Sequence, residues 1–193
     1  MIENLHVVGL LEAILGDRPL PDPLRVLDVG AKDWHYLPGL DRFLRRVGRS
    51  APRSLALTGI ELDPYWRYPS GFSRFDYARH YQTFAPDSRY LMGDVREHAG
   101  SYDLTLALYP FWRLGEVLDW GLPASAHDPV RFWSHLQGLT APGGRLVATA
   151  YPGETATAEA LWTELGWVPE GAGAWRSPFI PGRPHTWWTF RWP

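Results

Sequence analysis

The chain has 193 residues, enough for one domain with a full core and too few for two ordinary ones. Hydrophobic residues make up 45 % and charged residues 21 %, so the chain is globular rather than disordered, and a formal net charge of −2 gives no overall grip on nucleic acid. There are no cysteines, which excludes disulfide scaffolds, zinc–thiolate sites and thiol nucleophiles, and no apolar run approaches the ~20 residues of a membrane span. The N-terminal segment lacks a basic start followed by a long apolar block, so no secretory signal is expected; with the lack of cysteine, this fits a cytoplasmic protein.

In residues 2–16 the apolar positions Leu5, Val8, Leu11 and Leu15 have helical spacing. Pro19, Pro21 and Pro23 then break the chain, so 1–23 reads as a helix and an extended lead-in. Residues 24–29 form an apolar strand, central and parallel. Leu40, Phe43, Leu44 and Val47 mark an amphipathic helix closed by Gly48, and Arg42, Arg45, Arg46, Arg49 and Arg53 read as its solvated side. Residues 54–61 are the second strand. The stretch 63–86 is irregular and rich in aromatics, holds Pro64, Pro69 and Gly71, and is expected to be an insertion or lid carrying a helix over 73–82.

Residues 90–94 and 102–109 read as the third and fourth strands. Asp128 and Pro129 have the character of N-cap and N1 of a helix whose apolar face is Phe132, Trp133, Leu136 and Leu139. Ala141-Pro-Gly-Gly144 is a turn before a fifth strand at 145–151, a helix follows over 155–165, and two strands lie near 174–179 and 186–192. Alternating strands and helices predict an α/β fold with a mostly parallel sheet. Eleven tryptophans are many for this length; the clusters Trp187-Trp188 and Tyr65-Trp66-Arg67-Tyr68 exceed what a core needs, and aromatics also line ligand pockets.

The most informative stretch is Leu24-Arg-Val-Leu-Asp-Val-Gly-Ala-Lys-Asp-Trp34, a buried strand that ends in an acid and a glycine. Leu57-Thr-Gly-Ile-Glu-Leu-Asp63 then closes a second strand with acids. A strand, a glycine turn and an acid on the next strand are how an α/β sheet holds an adenosine-containing ligand at its carboxyl edge. Four segments in order, Val26-Leu-Asp-Val-Gly30, Thr58-Gly-Ile-Glu61, Gly93-Asp94 with Ser101-Tyr-Asp-Leu104, and Leu139-Thr-Ala-Pro-Gly-Gly-Arg-Leu-Val147, resemble the class I S-adenosylmethionine-dependent methyltransferases over residues 24–151. The resemblance implies a Rossmann-like three-layer sandwich whose seven-stranded sheet has its last strand antiparallel.

It also implies S-adenosylmethionine as cofactor, with roles for named residues. Gly30 lets the backbone approach the methionine part, Glu61 accepts from the ribose hydroxyls, Asp94 accepts from the adenine amino group with Val95 against the ring, and Asp28 orders the loop. Asp28 also reads as a strand-end cap and Asp94 as a turn residue, and of Glu61 and Asp63 strand alternation aims only one at the pocket. The loop departs from the family's usual glycine-x-glycine-x-glycine: Lys32 and Trp34 stand at the second and third glycine positions. Lys32, the only lysine of the chain, either meets the cofactor's carboxylate or, with Trp34, fills the pocket.

Methyl transfer from a sulfonium is an in-line displacement that needs alignment, exclusion of water and, for some acceptors, a base. No nucleophile elbow or metal-binding helix is present, and His80, His98, His127, His135 and His185 lack metal-ligand spacing, so no metal is expected. Tyr109-Pro-Phe-Trp112 at the end of the fourth strand is not the Asn/Asp-Pro-Pro-Tyr/Phe signature of base methylation, which points to a small-molecule acceptor rather than nucleic acid. Tyr109 is a candidate to orient the nucleophile and His35 a candidate base; each also reads as a structural residue. Tyr65, Trp66, Tyr68, Phe111 and Trp120 either wall a substrate pocket or pack the irregular segment. The rival readings are a non-catalytic relative serving as a partner module and a nicotinamide-dependent reductase. The Pro-Gly-Gly turn and the paired terminal strands speak against the reductase.

Overall fold

A computed structural model describes residues 2–16, 18–182 and 184–193. Seven strands, β1 Leu24–Val29, β2 Leu55–Glu61, β3 Ser88–Met92, β4 Tyr102–Ala107, β5 Thr140–Ala150, β6 Gly171–Arg176 and β7 Pro184–Arg191, form one sheet in the order β3-β2-β1-β4-β5-β7-β6. The first five pair in parallel, and β7 runs antiparallel to both β5 and β6. The chain reverses direction across the sheet between β1 and β4, the switch point at which such sheets leave a crevice outside their carboxyl ends.

Alternation along the strands divides the interior into two cores. Leu24 and Val26 of β1 and Val147 of β5 face a Leu-rich core, shared with the helices α1 Ile2–Leu15, α2 Leu37–Arg46 and α3 Arg74–Gln82. Leu27 and Val29 of β1 and Leu146, Ala148 and Ala150 of β5 face the other, with α5 Pro129–Leu139 and α6 Thr155–Glu164. That second core takes up Trp112, Trp133, Trp162, Trp167 and Trp188, while Trp34 lies in the first. Trp112 stacks on Trp133 with centroids 5.2 Å apart, Trp162 on Trp167 at 5.4 Å, and Trp188 packs edge-on against Trp162. The tryptophan surplus is thus mostly core, contrary to the pocket-lining expectation.

The expected cap is in place, with the Asp128 carboxylate accepting from Arg131 N–H and Pro129 opening α5; in addition Ser73 and Asp76 cap α3 reciprocally. Other expectations shift. Of the expected face of α1, Leu11 and Leu15 are buried but Leu5 is exposed; His6, Val7, Leu10 and Ile14 complete the buried face. The Ala141-Pro-Gly-Gly144 segment is an irregularity at the start of β5, where its pairing with β4 slips register, and not a free turn. A six-residue helix, α4 Leu114–Asp119, had no sequence signal because it is too short to show a period. The arginine cluster is only partly solvated. Arg45 grips both oxygens of Asp41 (3.1 Å each) and reaches Asp87 (2.8 Å), while Arg53 is buried and donates to the Val47 carbonyl. Among the described residues no helix is long and apolar enough to cross a membrane.

Candidate active site

After β1 the chain turns at Gly30 (φ 74°), and Lys32 (φ 55°) and Trp34 (φ 52°) share its left-handed conformation. These are the three positions at which the resembling family carries glycine. The glycine-loop backbone is therefore retained with two side chains added, each at a conformational cost of ~1–2 kcal/mol. Packing offsets that cost. Trp34 is 0 % exposed, and its indole N–H donates to Asp28 Oδ2 at 2.8 Å, as does the Tyr36 hydroxyl at 2.8 Å. The ring lies flat on β2: a Cβ on Gly59 would stand 2.8 Å from two indole carbons, so only glycine fits there. Tyr90 donates to the Lys32 carbonyl (2.6 Å), and Gly30 and Ala31 donate to the Ile60 carbonyl. Trp34 points into the core and leaves the pocket free.

Asp28 is accordingly turned inward. It is fully buried and does not line the pocket, so it meets the loop through Trp34 and Tyr36 and not a ligand directly. Burial pushes its carboxyl up to about 7, against the opposing pull of the Tyr36 and Trp34 hydrogen bonds. Five residues on, the Asp33 carboxyl is brought down to about 2, because hydrogen bonds from His35 and Tyr68 outweigh its burial.

A cavity of about 440 Å³ runs along the carboxyl ends of the strands. Its volume lies in the range of small-ligand sites. Following the sheet order, its wall passes from Asp94, Val95 and Arg96 after β3, to Glu61 and Leu62 at β2, to Gly30 and Lys32 after β1. It continues to Tyr109 and Phe111 after β4 and to Tyr151 and Glu154 after β5. His6 of α1, His35 and Trp120 complete the enclosure. A Cβ on Gly30 would meet nothing within 4 Å, so that glycine supplies the positive φ and keeps the space beside it open.

The carboxylates of this wall are tied to the chain. Glu61 is buried; its Oε2 accepts from Lys32 N–H (2.9 Å), and its Oε1 accepts from Asp63 N–H (2.9 Å) and Arg74 Nη1 (3.3 Å). Arg74, 2 % exposed, lies between the rings of Trp66 (5.1 Å) and Trp120 (4.5 Å), and Lys32 Nζ stands 5.6 Å from the Trp120 centroid. Asp94 is held by Arg96, whose Nε reaches both carboxylate oxygens (3.0 and 2.9 Å) and whose Nη2 also donates to Oδ2. Burial works against ionisation of Asp94, but the Arg96 contacts prevail and keep its carboxyl below the usual range.

Gly30, Lys32, Glu61, Asp94, Val95, His35, Tyr109, Phe111 and Trp120 thus converge on one cavity, and Asp63 does not line it. Tyr65, Trp66 and Tyr68 also lie outside it. Tyr65 is 66 % exposed and donates to Met92 Sδ, Trp66 covers Arg74, and Tyr68 donates to Asp33. Segment 63–86 is therefore fastened beside the cavity through Arg74 and Tyr68. His35 departs from a base's geometry. Its Nδ1 faces Asp33 Oδ1 at 2.6 Å and its Nε2 faces Glu3 Oε2 at 2.7 Å, so neither nitrogen presents a lone pair to the cavity. His6, Arg74, Arg96, Tyr151 and Glu154 carried no sequence motif. Among the described residues no group of three or more metal-ligating side chains is present.

No protein-family model and no curated protein matches the chain. Solved structures match over nearly its whole length. A TehB-like SAM-dependent methyltransferase from Corynebacterium glutamicum is 17 % identical, with 96 % of this chain and 86 % of that one covered and a TM-score of 0.57. The glycopeptide N-methyltransferase MtfA, complexed with S-adenosylmethionine, is 9 % identical (98 % and 94 % covered, TM-score 0.67). The 1,6-didemethyltoxoflavin-N1-methyltransferase of Burkholderia thailandensis, with that compound and S-adenosylhomocysteine bound, is 16 % identical (97 % and 77 % covered, TM-score 0.59). The fold is that of the class I methyltransferases. In that fold the strand order and the antiparallel β7 are as the sequence resemblance implied, and the cavity lies at the sheet's switch point.

Proposed function

We propose that this chain transfers the methyl group of S-adenosylmethionine to a small-molecule acceptor. The observation that carries the reading is the preserved left-handed backbone at 30, 32 and 34, with Glu61 fixed to it through the Lys32 N–H. Packing accounts for the strain at Trp34, whereas the half-buried Lys32 keeps a strained backbone whose N–H fixes Glu61, an arrangement that serves a ligand. The cofactor supplies a methyl group already activated by the sulfonium charge.

Within this reading Gly30 leaves room for the methionine part, and Lys32 offers its ammonium to the ligand's carboxylate. Glu61 Oε2, with one donor against two on Oε1, has accepting capacity left for a ribose hydroxyl. A bidentate ribose contact requires Arg74 to loosen its hold. Each Asp94 oxygen already takes two donors from Arg96, so accepting from the adenine amino group requires Arg96 to give one up, and Val95 packs against the ring. Asp28 acts indirectly, anchoring the loop through Trp34 and Tyr36. Tyr109 orients the acceptor, with Phe111 and Trp120 as walls.

Two of the similar structures are named for a glycopeptide and for didemethyltoxoflavin, which supports an acceptor other than a nucleic acid. Titration calorimetry with S-adenosylhomocysteine tests the proposal: one site with measurable heat and a raised melting temperature are expected. The absence of both would turn the interpretation to a cofactor-free binding module.

A further inference from the structure

The half of the cavity formed by β4 and β5 holds a histidine that no motif marks. His6 comes from α1, is 2 % exposed, and still contributes to the cavity wall. Its Nε2 lies 2.7 Å from the Tyr109 hydroxyl and 3.3 Å from Nε2 of His185 on β7. Tyr109 is the third non-glycine residue with a left-handed backbone (φ 60°), pinned by its N–H to Thr149 Oγ1 at 2.9 Å. A bulky residue strained in this way is held by its surroundings, and here they aim its hydroxyl at a buried imidazole. The Tyr109 and Tyr151 rings lie 5.6 Å apart at 24°, and Phe111 meets Trp120 edge-on at 5.2 Å. All four line the cavity, which gives its acceptor half flat apolar walls.

Building on the methyl-transfer reading, we propose that His6 is a positioning residue that takes the proton of the Tyr109 hydroxyl, so that the pair deprotonates a weakly acidic O–H or ring N–H on an aromatic acceptor. The acceptor's lone pair forms the new bond to the methyl carbon, and the carbon–sulfur bond breaks with its electrons leaving on sulfur. The acceptor's proton passes to the Tyr109 oxygen as the Tyr109 proton passes to His6 Nε2. The positive charge lost at sulfur reappears on the His6 ring, where His185 Nε2 shares the proton. Acceptors without a proton to lose, such as a thioether, would need no such pair. His35, between Asp33 and Glu3, has no nitrogen free for the task.

Two measurements on the full chain test this. In nitrogen-15 histidine spectra, His6 is expected as the tautomer with its proton on Nδ1 and a bare Nε2; a proton on Nε2 in the resting protein overturns the proposal. With 4-nitrophenol as the acceptor probe, the bound phenol is expected to be more ionised than in solution at the same pH. His6→Gln and Tyr109→Phe are each expected to lower the ionised-to-neutral ratio about tenfold, one pKa unit. Failure of the probe to bind, or an unchanged ratio in folded His6→Gln protein, overturns it. Calorimetry with S-adenosylhomocysteine on the same samples separates the two claims. Heat without a His6-dependent spectrum removes only this one, and a His6-dependent spectrum without heat removes only the cofactor reading.

Discussion

The two halves of the cavity are built by different means. Where β3, β2 and β1 end, the wall consists of charges fastened to the chain: Glu61 by two backbone N–H groups and Arg74, Asp94 by Arg96. Where β4 and β5 end, it consists of rings, with two carboxylates that take backbone N–H groups instead of arginines. Glu154 accepts from Tyr151, and Glu116 from Trp112. Fixed charges reproduce one hydrogen-bonding pattern and suit a ligand that never changes. Rings adapt through volume and stacking, and suit the partner that varies between proteins of one fold.

The largest effect should come from beneath the charged half. Trp34→Ala removes a fully buried ring and leaves Asp28 with the Tyr36 hydroxyl in place of two donors, so urea unfolding should show a loss of ~3–5 kcal/mol. Trp120→Ala, at a residue 42 % exposed, should leave stability nearly unchanged while weakening ligand binding; equal losses for the two would erase the contrast. Next, Glu61→Ala takes from buried Arg74 one of its two carboxylates, leaving Asp63, and removes the acceptor of the Lys32 and Asp63 N–H groups. It should cost ~3 kcal/mol of stability, by analogy with broken buried pairs, and lower S-adenosylhomocysteine affinity ~10- to 100-fold in calorimetry. Undiminished affinity would dislodge Glu61 from the ribose role.

Third comes a difference in pH response. Because the Asp28 carboxyl sits at about 7 when folded against 3.8 ordinarily, the folded chain holds a proton there that the unfolded chain has lost. Its contribution to stability therefore falls as pH rises from about 4 to about 7, by at most ~1.4 kcal/mol per unit, and is level above. Asp33, lowered to about 2, behaves oppositely: its contribution is present above about 4 and is lost as pH falls toward 2. Asp28→Asn should flatten the first slope in thermal melts and leave the second. Smallest is Lys32→Gly, which relieves one left-handed residue and should raise stability by ~1 kcal/mol. Loss of ligand affinity in the same variant would support the carboxylate contact; unchanged affinity would leave Lys32 as a bystander.

Much of the charged half was legible in the sequence because its signals are local. Leu24–Val29 was bounded correctly from apolar run and glycine alone, and Gly30 and Glu61 stand at the expected strand ends, while the third strand ends at Met92 rather than at 94, two residues before Asp94. What was illegible depends on distant pairings. Nothing near Lys32 and Trp34 announces that they adopt a glycine's backbone angles, because the compensation comes from Gly59 and Tyr90 on other strands. His6 meets Tyr109 across 103 residues and His185 across 179, so only the closed topology brings them together. His35 is marked as a candidate base by its place just beyond the loop, whereas nothing in the sequence marks His6. For Tyr65, Trp66 and Tyr68 the sequence leaves two readings open, pocket wall or packing of the irregular segment, and they lie outside the cavity: aromatic content does not reveal which face of such a segment meets the sheet.

The placement of the eleven tryptophans also makes the molecule its own optical reporter. Among the described residues Trp120 is the one indole in the cavity wall, whereas the clustered Trp112, Trp133, Trp162, Trp167 and Trp188 lie in the core behind the sheet. Emission changes on adding a ligand should therefore arise chiefly from Trp120, over a constant background from the stacked indoles. Near-ultraviolet dichroism, dominated by coupling within that stack, should register only the loss of the fold.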